Sequence, residues 1–351
     1  MNNRTRLRRV AENSTRGRVR SPNRMSPERD FEKRLESLRE QAAANGSVSG
    51  RGVDIAGGPV PRKPGYYGEA VVRPPVWTWE IPLYFFIGGA GGMAPVLACA
   101  GLIFGHADLV RGAMCIAAIA AIVSPILLVM DLGRPRLFLN MLRVFKHQSP
   151  MSVGAWILSI FGTFAVPGWV LAEIHARQIF GGTLDSVIGV AAMLLIALSA
   201  LFGLGLATYT GVLLGATAIP AWFLHRVLLP IHFGTAGLGS AAALLELFGF
   251  HLRPLYVLGL LAAGIETAVF LWLEMDKHGA ADRALHEGRS GWMIRSGEIL
   301  SGPLALLCRA FGFVPVAAIS FLAGAFISRF AWLSAGRASG SDPEAVFASQ
   351  R

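Results

Sequence analysis

Glu266 lies in the middle of an apolar block, flanked by LLAAGI on one side and TAVFLWL on the other. An ionised carboxylate is costly at that depth in a membrane helix, so such a residue keeps its proton, pairs with a neighbour, or passes protons on. Glu246, towards the end of another block, and Tyr209, within Thr208-Tyr209-Thr210, are further polar points in apolar surroundings. Glu266, Tyr209 and Glu246 form a candidate proton relay. The competing reading makes Glu266 a protonated acid bonded to a neighbouring helix, and Glu246 an acid that reaches the interface. Glu80 and Tyr84 stand one turn apart, which puts them on one helix face. Beside them the run Gly88–Gly89–Ala90–Gly91–Gly92 contains a small-xxx-small pair, as does Gly211–Gly215, and such spacing lets helix backbones approach closely. An alternative for the first run is a flat wall that admits a planar ring.

Other chemistries lack their residues. A haem pair needs facing histidines inside the spans, but most of the eight histidines sit at block ends or in loops. Only His232 reads as internal, where helix packing or an interface suits it better than metal ligation. Cys99, Cys115 and Cys308 are scattered through apolar segments, with neither disulfide nor metal-ligand spacing, and read as buried free thiols. No haem, iron–sulfur cluster or other metal site is expected in this chain. The glycine runs follow no strand and precede no Lys-Ser/Thr, so they are not nucleotide fingerprints.

These residues need membrane helices to position them. The chain is 53% hydrophobic and 15% charged with a mean hydropathy of +0.51, well outside the range of ordinary soluble domains. Apolar blocks at 80–104, 109–130, 153–176, 184–218, 227–249, 254–274 and 303–333 are long enough to cross a bilayer as helix. The fourth is too long for one simple crossing and is expected to tilt, protrude or break near Gly211 and Gly215. In the last, Arg309 belongs at an interface, and 299–307 reads as a short interfacial piece before the crossing, which leaves room for an eighth span. The fold class is therefore all-α, a polytopic transmembrane bundle over 76–335 with a short C-terminal tail at 336–351. Residues 1–75 hold +8 of the net +10 charge and read as a largely disordered basic extension. Within it, Ser26-Pro27 and the stripe Phe31, Leu35, Leu38, Ala42 predict one short helix. A charge so localised describes a tail, not a nucleic-acid-binding core.

The stretch Val76-Trp77-Thr78-Trp79-Glu80-Ile81-Pro82-Leu83-Tyr84 through Gly89 resembles the opening of the NrfD and polysulfide-reductase membrane subunits. The resemblance continues in Asp131-Leu132-Gly133-Arg134-Pro135, Ser149-Pro150-Met151-Ser152 through Trp156, Tyr209 through Leu214, and Pro220-Ala221-Trp222. Singly these strings are weak, but their order and spacing over 75–335 are specific. The resemblance implies a multi-pass subunit of a bacterial inner membrane, set in lipid, that exchanges electrons and protons between the quinone pool and a docked subunit. That partner is a four-cluster ferredoxin-like iron–sulfur protein, itself serving a molybdopterin or cytochrome catalytic subunit. It also implies a quinone site at Glu80, Tyr84, Trp79 and Gly88, with tyrosine at a position where the polysulfide-reductase type has histidine. Docking falls to the 131–151 loop, with Asp131, Arg134, Ser149 and Ser152. Trp77 and Trp79 mark the interface as aromatic belts do. The structural alternative makes Asp131 and Arg134 a surface salt bridge that shapes the loop.

Loops on the tail side carry nine Lys and Arg against three, Arg111, Arg177 and Arg253, on the other. The positive-inside rule then places the N-terminus and the 131–151 loop in the cytoplasm, although respiratory relatives dock their partner on the outer face. Two rival functions use the same residues: a cofactor-free proton or ion transporter, and a structural anchor for a redox enzyme. The lack of ligand sets generates a first prediction. Purified protein shows no haem absorption and no stoichiometric iron, and about one haem per chain by absorption spectroscopy would overturn that expectation.

Overall fold

A computed structural model describes residues 72, 74–75, 77–132, 138–276 and 279–349. The helix expected around Phe31–Ala42, nearly all of the basic tail, and Arg134 lie outside the described residues. Within them the chain is helical, and seven helices are long and apolar enough to cross a membrane. They are α1 (Glu80–Ile103), α2 (Ala107–Asp131), α3 (Pro150–Ala176), α4 (Gly182–Gly215), α5 (Leu228–Leu247), α6 (Arg253–Met275) and, last in the chain, α9 (Val314–Ser341). The long fourth block stays helical past Gly211 and ends at Gly215, one of the two points where a break is expected, so that α4 runs for 34 residues. At 1.5 Å per residue it spans about 50 Å, more than a bilayer's hydrocarbon core, so it must tilt or protrude.

The last block departs most from the expectation of a short interfacial piece. Residues 288–310 form one rod made of α7 (Gly288–Ile299), a π turn (Leu300–Leu304) and α8 (Ala305–Ala310). Pro303 explains the π turn, because proline offers no N–H and clashes with the preceding turn of a regular helix. The rod runs antiparallel to α6 along its length. Arg295 pairs with Glu274 at one end, and the Arg309 carbonyl accepts from the Tyr256 hydroxyl at the other. A tight turn at Gly312, φ +82°, then reverses the chain into α9. Arg289, Arg295, Glu298 and Arg309 keep the rod from reading as a span by hydropathy, yet its 23 residues reach across a bilayer.

Small residues set the helix spacing. A methyl group on Gly92 would sit 2.4 Å from the Gly203 carbonyl oxygen of α4, and one on Gly211 would meet the Leu229 backbone at 2.5 Å. The glycine run of α1 thus packs against helices and is no open wall; even Gly88 faces the Tyr84 ring and Ser124. At the end of the bundle opposite the start of α1, Glu173 holds both Arg111 and Arg177 while His175 meets Asp185, so α2, α3 and α4 are fastened together. At the end where α1 begins, Trp222 donates its indole N–H to the Trp332 carbonyl, and Trp77 stacks on Trp222. Trp77 is therefore buried, whereas Trp79 faces outward. Outward-facing Val187, Leu194 and Leu201 repeat every seven residues along α4, an apolar stripe suited to lipid. The three cysteines are free, but half-buried at helix surfaces instead of enclosed.

Close packing at Gly92 predicts an asymmetry between glycines. Gly92→Ala forces the α1 and α4 backbones apart and should destabilise the protein by about 1–3 kcal/mol. Gly264→Ala, with nothing within 4 Å of its added methyl, should be neutral or slightly stabilising. Thermal unfolding of both variants in detergent checks the pair, and equal melting points would contradict this packing account.

Candidate functional site

Glu80 opens α1 and is buried together with Tyr84 one turn on. The Thr78 hydroxyl sits between two acids: it contacts Glu80 Oε2, and Asp131 Oδ1 lies 2.9 Å away. Asp131 also accepts from the Thr78 backbone N–H at 3.3 Å. One hydroxyl has one proton to donate, so Thr78 can serve only one of the two acids through its side chain at a time. The Tyr84 ring lies against Gly88 and Phe85. Three of the four residues grouped here from sequence, Glu80, Tyr84 and Gly88, come together; Trp79 is 54% exposed and points away.

Asp131 ends α2, and Ser149 and Ser152 begin α3 across the intervening loop. Ser152 Oγ accepts from the Lys146 backbone N–H at 3.0 Å and so ties down the loop, while Ser149 supplies the non-helical residue before α3 without a side-chain cap. Leu139, Val144, Phe145 and Met151 expose apolar surface on this stretch.

Glu266 lies in a buried polar cluster contributed by four helices. His232 Nδ1 of α5 lies 2.8 Å from Glu266 Oε2 of α6, a charge contact outside hydrogen-bond geometry, and its Nε2 lies 3.0 Å from Ser328 Oγ of α9 and 3.4 Å from Glu298 of α7. Ser328 donates to Glu298 at 3.0 Å, and Thr235 donates to the second oxygen of Glu266 at 2.7 Å. Arg329 of α9 lies over the Phe233 ring at 3.8 Å and gives one N–H to the Phe233 carbonyl. His232, Glu266, Glu298, Ser328 and Arg329 are all at most 1% exposed. The three donor groups lie within 4.8 Å of one another, a spacing that could hold a cation. The direct His232–Glu266 contact and the electrostatic reach of the Arg329 guanidinium fit proton exchange better, because a fixed cation repels a second one.

The other two members of the sequence-derived relay lie elsewhere. Tyr209 donates to the Pro150 carbonyl at 2.5 Å and fills the space beside Gly154, bracing the α3–α4 contact. Glu246 forms a two-pronged pair with Arg309, at 2.8 and 2.6 Å, at the far end of α5. Arg309 is fully buried there, at the end of its rod, with its guanidinium against Gly259. Glu246 also lines a cavity of about 240 Å³ together with His251, Leu252, Arg253, Tyr256 and Val314. A further buried pair, His225 Nε2 with Asp282 Oδ1 at 3.1 Å, lies just before the start of α5.

Sequence reasoning missed His232 as a partner of Glu266, and missed Glu298 and Arg329. Arg329 carried the same signal as Glu266, a charge inside an apolar block. Glu298 did not, because its segment reads as polar and non-spanning. The profile of the family described as Polysulphide reductase, NrfD matches residues 70–339, well over half of the chain. No curated protein matches the chain.

The Glu246–Arg309 pair leads to a stability prediction. Glu246→Gln strands a buried guanidinium and should cost about 3–5 kcal/mol, whereas joining it to Arg309→Met should restore most of the loss. Melting temperatures of the single and double variants decide it. A double variant no more stable than the single one would contradict the pairing.

Proposed function

Because the chain belongs to the Polysulphide reductase, NrfD family, we propose that it is the quinone-reactive, multi-pass subunit of an oxidoreductase complex in a bacterial inner membrane. It exchanges electrons and protons between the quinone pool and a docked iron–sulfur subunit of the four-cluster ferredoxin type, which serves a molybdopterin or cytochrome catalytic subunit. The observation that carries this reading is the Thr78 bridge. One hydroxyl joins Glu80, beside the quinone position, to Asp131, at the head of the docking loop. Quinol oxidation releases protons as well as electrons, and two acids sharing one hydroxyl can accept and release a proton at little structural cost. Tyr84 supplies a donor for a ring carbonyl.

Electrons would leave across the 131–151 stretch, where exposed Leu139, Val144, Phe145 and Met151 offer apolar contact area for a partner. The charge of the tail-side loops favours a cytoplasmic partner. A structural anchor would use the same surface but has no need of the acid pair. A transporter is favoured by a different observation, the buried His232 cluster, and that activity is compatible with quinone chemistry at the other site.

Two conservative changes test the quinone site. Tyr84→Phe removes one donor and should weaken quinol binding by about 1 kcal/mol, roughly fivefold. Glu80→Gln keeps the shape but not the proton carrier, so turnover should fall more than affinity. Quinol-dependent reduction of the iron–sulfur partner, measured in complexes of unchanged composition, reads both effects. Values within twofold of the parent for both variants would overturn the assignment.

A further inference from the structure

We infer that this protein contains a proton path across the membrane through α5, α6, the α7–α8 rod and α9, with His232, Glu266 and Glu298 as its central loading site. This goes beyond quinone oxidation and does not depend on it. Three buried ionisable groupings succeed one another along these helices. His225 and Asp282 lie at the end where α5 begins, the His232 cluster follows, and Glu246 with Arg309 lies at the far end beside the cavity lined by His251, Arg253 and Tyr256. His232 and Glu246 are 14 residues apart on one helix, close to the same face, which separates them by about 21 Å along the helix axis.

Polar atoms without protein partners occupy the gaps. The Trp332 ring lies 5.7 Å from His225 and 6.2 Å from His232, and its indole N–H is buried with no hydrogen-bond partner among the described residues. The same holds for the hydroxyl of Ser240, on α5 between His232 and Glu246, and for Nε and Nη1 of Arg329. Buried polar atoms of this kind are the ones that ordered water satisfies, and water joins hydrogen-bonded groups into proton-conducting chains. Exposed Ile231, Leu261, Ile265, Leu304, Ile319 and Phe326 give the same helices apolar outer surface, while the polar atoms named above are buried.

Charge balance sets what the centre holds. The charged groups facing His232 are Glu266 from α6, Glu298 from α7 and Arg329 from α9, while α1 brings Gly89 against the Arg329 side chain. With Arg329 positive, two carboxyls and one imidazole are neutral as a set when they share one proton beyond the neutral imidazole's own. A second ionised acid would leave an uncompensated charge in a low-dielectric interior. Transfer then runs through the ring. The Glu298 carboxyl gives its proton to His232 Nε2, His232 Nδ1 gives its proton to the Glu266 carboxylate, and one negative charge moves from Glu266 to Glu298. The imidazole ends neutral in its other tautomer, ready to reset once Glu266 releases its proton towards the far side.

Two measurements on the full-length protein test this without quinol or partner, so they can fail while the quinone reading stands, and the reverse. In potassium-loaded liposomes given valinomycin, an entrapped pH dye should report proton uptake above that of empty liposomes. Glu266→Gln and Glu298→Gln should each reduce it at least tenfold. Infrared spectra of the protein in lipid nanodiscs should show a protonated-carboxyl band that shifts in D₂O and is lost or displaced in these two variants. Glu298→Gln can still hydrogen-bond Ser328; should it fail to fold, Ser328→Ala, which removes no charge, should lower uptake several-fold. Uptake equal to empty liposomes, or uptake and band both unchanged in the variants, would overturn the proposal.

Discussion

Charge neutrality inside an apolar bundle governs half of this structure. Glu266, Arg329 and Arg309 lie in or beside apolar segments, and each would be prohibitively costly alone in hydrocarbon. Their partners decide which helices must meet. Glu298 reaches His232 and approaches Glu266 only if the 288–310 rod enters the bundle, and Arg309 meets Glu246 only if the rod runs its full length. A segment too polar to insert on its own is therefore held among α5, α6 and α9 by the charges that make it polar. Glycines allow the approach: Gly302 lies against the Glu266–Thr267 backbone and Gly324 against Ser301.

The other half, α1 to α4, is built differently. Its interior is organised by small residues and aromatic packing, with ion pairs at the far rim. The acid pair Glu80 and Asp131 lies at its tail-side edge, next to the loop that exposes apolar side chains. Redox chemistry at that edge and proton movement in the second half would use separate residues, joined by α1, which touches α5 through Gly89 and Gly237. Such a division would let a quinone site at that edge keep its polar groups near the interface while the charged groups of the second half remain mutually neutralised.

The number and order of the seven apolar helices, and the approximate limits of all but the last, were legible in the sequence, because a bilayer imposes a minimum apolar length that few other folds require. The significance of Glu266 was legible for the same reason. Packing roles of the glycine runs followed from their spacing, although the direction they face did not. Tyr209 and Glu246 illustrate where that reasoning stops. Both are polar in apolar surroundings, yet one braces a helix contact and the other neutralises an arginine 63 residues away.

By itself the sequence determined that this chain crosses a membrane many times, where most of the apolar spans lie, and that a charge such as Glu266 inside one of them needs an explanation. Only the tertiary structure decided the partners: that Thr78 bridges Glu80 and Asp131, that His232 stands between Glu266 and Glu298, and that residues 288–310 form a rod through the bundle. The reason is physical. Transfer of a helix into lipid depends on local composition, which a sequence window contains, whereas neutralising a buried charge depends on groups brought close from distant segments, which no window contains.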